Sequence, residues 1–208
     1  PIVQFNGSGN LRDGDITGVG ETGNTVTASS QLARVGHDSN GNEFRAFFSF
    51  NTTLPNGASI ISANVSIKKS STTDTCASSP YTHNTYIGKD LIGSNNLDTG
   101  DFSDYQSATL LNTVSWSSNN YQTINISNTS LINETGYTDI ILKNPLELVC
   151  ELTDEYDSLY TGEASSSNIP YLNITYQRIF NLIYDANGNL ISGFGKFMEY
   201  DGFNRLIR

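Results

Sequence analysis

Alternation at a period of two residues runs through most of this chain in short stretches, while amphipathic helical periodicity is almost absent. Residues 43–50 (EFRAFFSF), 58–69 (ASIISANVSIKK), 121–127 (YQTINIS), 138–143 (TDIILK), 158–164 (SLYTGEA) and 171–177 (YLNITYQ) each have the pattern of a strand. Further candidates are residues 2–5, 31–36, 85–92 and 108–114. Turn chemistry separates them, in the Asp-Ser-Asn-Gly-Asn run 38–42, in 55–57, at Gly100 and in 117–120. About ten short strands punctuated in this way predict an all-β fold, an antiparallel β-sandwich or jelly roll. Within 58–69 the alternation assigns Ile61, Ala63, Val65 and Ile67 to the core face and Ile60, Ser62, Asn64 and Ser66 to the other.

Charge narrows the partners. Only 11 Lys and Arg stand against 21 Asp and Glu, a net charge of −10, so the chain lacks the basic clusters that nucleic-acid binding needs. No apolar run reaches membrane-spanning length, which predicts no membrane insertion in these 208 residues. Asn, Ser and Thr make up about a third of the chain, a polar, uncharged composition that suits an extracellular or cell-surface location. The first residue is Pro1, with neither an initiator Met nor a signal peptide, which suggests a processed product or a piece of something longer.

Three segments carry a resemblance: 32–36 (LARVG), 44–68 (FRAFFSFNTTLPNGASIISANVSIK) and 160–176 (YTGEASSSNIPYLNITY). They are similar to the DNRLRE, or disaggregatase-related, domain across roughly residues 20–177. Arg45, Phe48 and Phe50 match one element of that pattern, and Leu54, Gly57, Ala58, Ile60 and Ala63 the next. Glu163, Ala164, Pro170, Tyr171, Leu172 and Tyr176 match its closing element. Asn51 stands where that family usually has Asp, and 146–157 is an acidic insertion. The resemblance implies a secreted β-sandwich of large surface proteins and polysaccharide-active enzymes, with carbohydrate-binding relatives and no implied catalysis.

Beyond residue 177 the texture changes. Residues 183–208 hold two Tyr-Asp pairs, Tyr184-Asp185 and Tyr200-Asp201, each followed by a turn; Gly188 and Asn189 complete the first. This resembles the RHS/YD repeat, a hairpin unit reiterated into a β-shell. The expected organisation is therefore a sandwich over 1–177 and a YD-type β-hairpin extension over 178–208. Its apolar density predicts an ordered tail that packs on the sandwich, on further repeats of a longer chain, or on another subunit.

The site candidates are few. His37 and His83 sit beside turns and are expected at the surface, and no converging acid/base pair is visible, so the expectation is a protein that is not an enzyme. A Cys76–Cys150 disulfide is expected from two loops long enough to meet at one end of a sandwich, with a pair of buried thiols as the alternative. Glu147, Glu151, Asp154, Glu155 and Asp157 crowd one acidic loop free of basic residues, a candidate calcium site, with a merely solvated loop as the alternative. No other cofactor is expected. Tyr81, Trp116 and Tyr121 flank polar loops and are candidate glycan-stacking residues, although a lone Trp more often plugs a sandwich core. N-glycosylation sequons occur at Asn6, Asn51, Asn64, Asn125, Asn128, Asn133 and Asn173, a number close to chance for this composition. Functionally, these features point to attachment or carbohydrate recognition by a cell-surface module binding polysaccharide or glycans. The alternatives are a filament or sheath subunit that pairs with copies of itself by strand addition and, last, a polysaccharide hydrolase or lyase.

Overall fold

A strand whose two faces are both apolar must be buried on both sides, and residues 43–51 and 137–143 have this character at the centre of the molecule. The structure is a computed structural model and describes residues 1–7, 11–74, 82–93, 96–145, 153–178, 182–193 and 196–208. In chain order the elements are β1 (Ile2–Asn6), β2 (Gly14–Val19), β3 (Thr22–Ala28), β4 (Leu32–His37), β5 (Glu43–Asn51), β6 (Ala58–Asp74) and β7 (His83–Lys89). There follow a 3-10 helix, η1 (Thr99–Ser107), then β8 (Thr109–Val114), β9 (Tyr121–Ile126), a second 3-10 turn, η2 (Thr129–Leu131), β10 (Tyr137–Lys143), β11 (Glu155–Tyr160) and β12 (Tyr171–Arg178). The fold is all-β and antiparallel, as the alternation predicts. Among the described residues no helix is long and apolar enough to cross a membrane.

The main sheet follows the order β1-β12-β6-β11-β4-β5-β10-β7-β8 and curls on itself, with β9 added beside β6. The 17-residue β6 makes the corner: 58–68 pair with β12 and β9, and 69–74 pair with β11. Between the two layers lies a core that includes Phe48, Phe50, Val65, Ile67, Ile87, Trp116, Ile140 and Leu172. The register within β6 corrects one face assignment. Ser62 pairs with Thr175 and Ile60 with Tyr176, so a bulge skips Ile61. Ala63, Val65 and Ile67 are buried as predicted, but Ile61 is 59% exposed and Ile60 turns toward the core instead.

A third layer was not evident from the alternation. Residues 14–28 form the β2–β3 hairpin, and β2 pairs with β5. With η1 this hairpin covers the outer face of β5 and β10, enclosing a second core of Ile16, Phe47, Ile92, Leu97, Phe102 and Ile141. Glycine makes the contact close enough: a Cβ at Gly18 would lie 2.6 Å from the Phe102 ring, and one at Gly23 would lie 2.3 Å from Thr99 O. This layer explains why β5 and β10 do not alternate. Ala46, Phe48 and Phe50 enter the large core while Phe47 enters the small one.

The tail is a separate three-stranded sheet of β13 (Ile183–Tyr184), β14 (Leu190–Gly193) and β15 (Lys196–Phe197), so the predicted hairpin is present. Its turns repeat one design. The Asp185 carboxylate accepts from the backbone N–H of Asn187 and Asn189 and from the Asn189 side chain. Sixteen residues on, Asp201 accepts in the same way from Phe203, Arg205 and the Arg205 guanidinium. Asp38 closes its own turn identically with Asn40 and Asn42. The two tail loops touch, with Asn204 Oδ1 accepting from Asn187 and Asn189. Among the described residues of the tail, several large apolar side chains stay uncovered: Phe197 and Phe203 are 80% and 83% exposed.

Candidate functional site

The outer face of the β1-β12-β6-β9 layer is where strand register and exposed chemistry coincide. Alternation sends Leu172, Ile174, Ala63, Val65, Ile124 and Ile126 inward, so their neighbours must face out. Register then sets those outward residues level with one another. Gln4 pairs with Asn173, Asn173 with Asn64, and Asn64 with Asn125, giving four side-chain amides in one row across four strands. Asn173 Nδ2 donates to Asn64 Oδ1 at 3.3 Å. The next row is Asn6, Tyr171, Ser66 and Thr123, with the Ser66 and Thr123 hydroxyls bonded at 2.9 Å.

Aromatic rings close one end of this face. Tyr121 and Tyr171 pack with their rings tilted and their centroids 5.3 Å apart, and the Tyr121 hydroxyl donates to the carbonyls of Ser167 and Ile169, which pins the 165–169 loop beside the face. Burial first, and then the neighbouring Tyr171, raise the Tyr121 phenol above its ordinary value, so it stays neutral and able to donate. Lys68 donates to Asn168 Oδ1 at 2.7 Å and lies over the rings of Tyr121 and Tyr160. No outward position in the paired rows carries a carboxylate. Among the described residues, Tyr121 is thus the one proposed stacking residue found at this polar face.

The other site candidates fall elsewhere. Trp116 is 5% exposed, packs in the large core and donates its indole N–H to Ile67 O, so its ring is a plug and no platform. Tyr81, Cys76, Cys150, Glu147 and Glu151 lie outside the described residues. Asp154 accepts from the Ser39 N–H at 2.7 Å. Glu155 and Asp157 do not lie in a loop; they start β11 with their side chains buried. Basic partners from distant strands meet them there, which the local sequence could not reveal. His37 Nε2 is 3.2 Å from Glu155, and His83 Nε2 is 2.9 Å from Asp157, with Lys69 Nζ at 3.6 Å from the latter. Burial opposes ionisation of Asp157, but hydrogen bonds from His83 and Thr72 and the positive charge nearby hold its carboxyl below the usual range.

Both histidines are therefore core residues, contrary to the surface placement expected beside turns: His37 is 3% and His83 0% exposed. Among the described residues, His83 Nδ1 and Thr85 Oγ1 have no hydrogen-bond partner. No three His, Cys, Asp or Glu side chains among the described residues come together as metal ligands.

The sequons divide by geometry. Asn6, Asn64, Asn125 and Asn173 lie on the amide face, and for Asn64 and Asn173 the Ser66 and Thr175 two residues on fall on the same side because the strand period is two. Asn51 ends β5 and accepts from Thr53, Asn128 caps η2, and Asn133 is buried with its amide donating to Asp90.

Arg45 has a structural task. Its guanidinium, fully buried, stacks on Phe102 at 3.7 Å and bonds Glu43, Glu21 and the carbonyls of Phe102 and Gly20, fastening η1 and the β2–β3 turn to β5. Outside it Tyr105 lies between Arg45 and Lys143, edge-on to Tyr86. Compared with protein-family models and with curated proteins, the chain matches none.

Proposed function

We propose that this chain is a non-catalytic extracellular β-sandwich module of a cell-surface RHS/YD-repeat protein, serving attachment or carbohydrate recognition, of which the site favours carbohydrate recognition. The observation that carries the reading is the amide row of Gln4, Asn173, Asn64 and Asn125 beside the Tyr121–Tyr171 pair. Sugars are recognised by dense arrays of neutral donors and acceptors with an aromatic ring nearby, and each amide offers both a donor and an acceptor. The segments resembling DNRLRE domains support the same reading. The repeated Asp-centred loops of the tail support its assignment to a YD array. Recognition of this kind needs no cofactor.

The test is retention on a panel of immobilised polysaccharides, with reducing ends assayed in parallel. Retention without new reducing ends is expected; absence of retention on every polysaccharide would remove the reading. New reducing ends would favour a hydrolase or lyase.

A second reading, a filament subunit built by strand addition, is favoured by one observation. The terminal strands of the main sheet's order, β1 and β8, each pair on one side only among the described residues. Polymers in electron micrographs of the purified chain would favour it.

A further inference from the structure

An amide on each of four successive strands, in register, makes a ruler. Adjacent strands lie about 4.8 Å apart, so the row Gln4–Asn173–Asn64–Asn125 spans roughly 14 Å at nearly constant spacing. An extended, β-linked pyranose chain advances by nearly the same step per sugar. We propose that this row is the binding site for an extended, uncharged, β-linked polysaccharide that lies across the strands with one sugar over each. The inference rests on the carbohydrate-recognition reading above and specifies its site and substrate class.

The chemistry of the face selects the ligand. In a chain with 21 acidic residues, the paired outward positions of these strands carry none, so an uncharged chain meets no repulsion there. Lys68, the cation paired with Tyr121 on this face, is held by Asn168 and the Tyr121 and Tyr160 rings, which does not favour an acidic polymer. The bond from Asn173 to Asn64 fixes both amide groups before a ligand arrives, which lowers the ordering cost of binding. Gln4 and Asn125, at the two ends, are exposed and set the length of the site. Tyr171, two residues along β12 from Asn173, stands beside the row to pack against a sugar ring. Glycans attached at Asn64, Asn125 or Asn173 would occupy the same surface, so modification and binding exclude each other.

The experiment titrates the full chain with cello-, manno- and xylo-oligosaccharides of two to six sugars, and with polygalacturonate as the charged comparison. One neutral series is expected to bind, with affinity rising to four sugars and then levelling. Gln4→Ala/Asn125→Ala is expected to weaken the four-sugar ligand about tenfold or more with an unchanged melting temperature, as both residues are exposed. Asn64→Ala serves as a second variant at the centre of the row. Equal affinity in wild type and both variants would overturn the proposal while leaving carbohydrate recognition standing. So would salt-sensitive binding of polygalacturonate alone, or self-association abolished by the variants without sugar binding. Failure to bind any polysaccharide, neutral or charged, would remove the underlying reading as well.

Discussion

His83 and Asp157 form a fully buried pair at 2.9 Å, although 74 residues separate them, and Lys69 and Thr72 complete the cluster from β6. A carboxylate so placed links β11, β7 and the corner of β6, and its removal leaves the buried Lys69 ammonium uncompensated and takes the His83 ring's partner away. Asp157→Asn should therefore destabilise the fold by about 3–5 kcal/mol at neutral pH. Because the folded-state pKa of Asp157 is depressed, its stabilisation is complete above the unfolded value of about 4 and is lost as pH falls through the folded one. Thermal melts from pH 7 down to pH 2 should show a steep acid loss in the wild type and a shallower one in the variant. Parallel profiles would contradict this.

Asp104 behaves oppositely. Burial, then the charge of Asp101 and the hydrogen bond between the two carboxyls, push it up to about 7. A raised carboxyl pKa stabilises fully below about pH 4, and that contribution declines as pH rises through 7. The melting temperature should fall between pH 5 and pH 8.5, and Asp104→Asn should flatten that slope. An unchanged slope in the variant would assign it to other groups.

The third layer predicts that Phe47 is as important as the residues of the larger core. Phe47→Ala should cost about 3–5 kcal/mol in denaturant unfolding, since it empties the space under Ile16 and Phe102. A loss under 1 kcal/mol, about what an exposed site gives, would mean the hairpin does not cover β5.

The loops that carry Cys76 and Cys150 leave and re-enter the sheet side by side. Asp74 pairs with Glu155, and Asn84 pairs with Lys143. The cysteines themselves lie outside the described residues. A Cys76–Cys150 bridge is within reach of these anchors and would contribute about 4 kcal/mol through loop closure. Denatured, unreduced protein should then show no titratable thiol; two thiols would exclude the bridge.

How much of this was legible in the sequence varies by element. β5, β6, β10 and β12 announce themselves because one or both faces are apolar, and the core positions Ala63, Val65 and Ile67 follow from alternation alone. The β2–β3 hairpin does not, because Gly14, Gly18 and Gly23 replace the side chains that would have marked it; Gly14 lets β3 come close, and Gly18 and Gly23 let η1 approach. The histidines resemble surface residues because their carboxylate partners come from β11, far along the chain. The amide row is invisible for the same reason: Gln4, Asn64, Asn125 and Asn173 are scattered in sequence, and only the long-range register of β1 with β12 and β6 with β9 aligns them. Local chemistry was readable; register between distant strands was not.

A sugar chain bound along the amide row must touch the amides themselves. Side-chain amide resonances of Gln4, Asn64, Asn125 and Asn173, followed by NMR during titration with a four-sugar neutral oligosaccharide, test it most directly. Saturable shifts are expected at these four residues and at Tyr171, with little change at Tyr86 and Tyr105 on the opposite layer. Shifts confined to Tyr86, Tyr105 and Lys143, with the four amides unmoved, would contradict it.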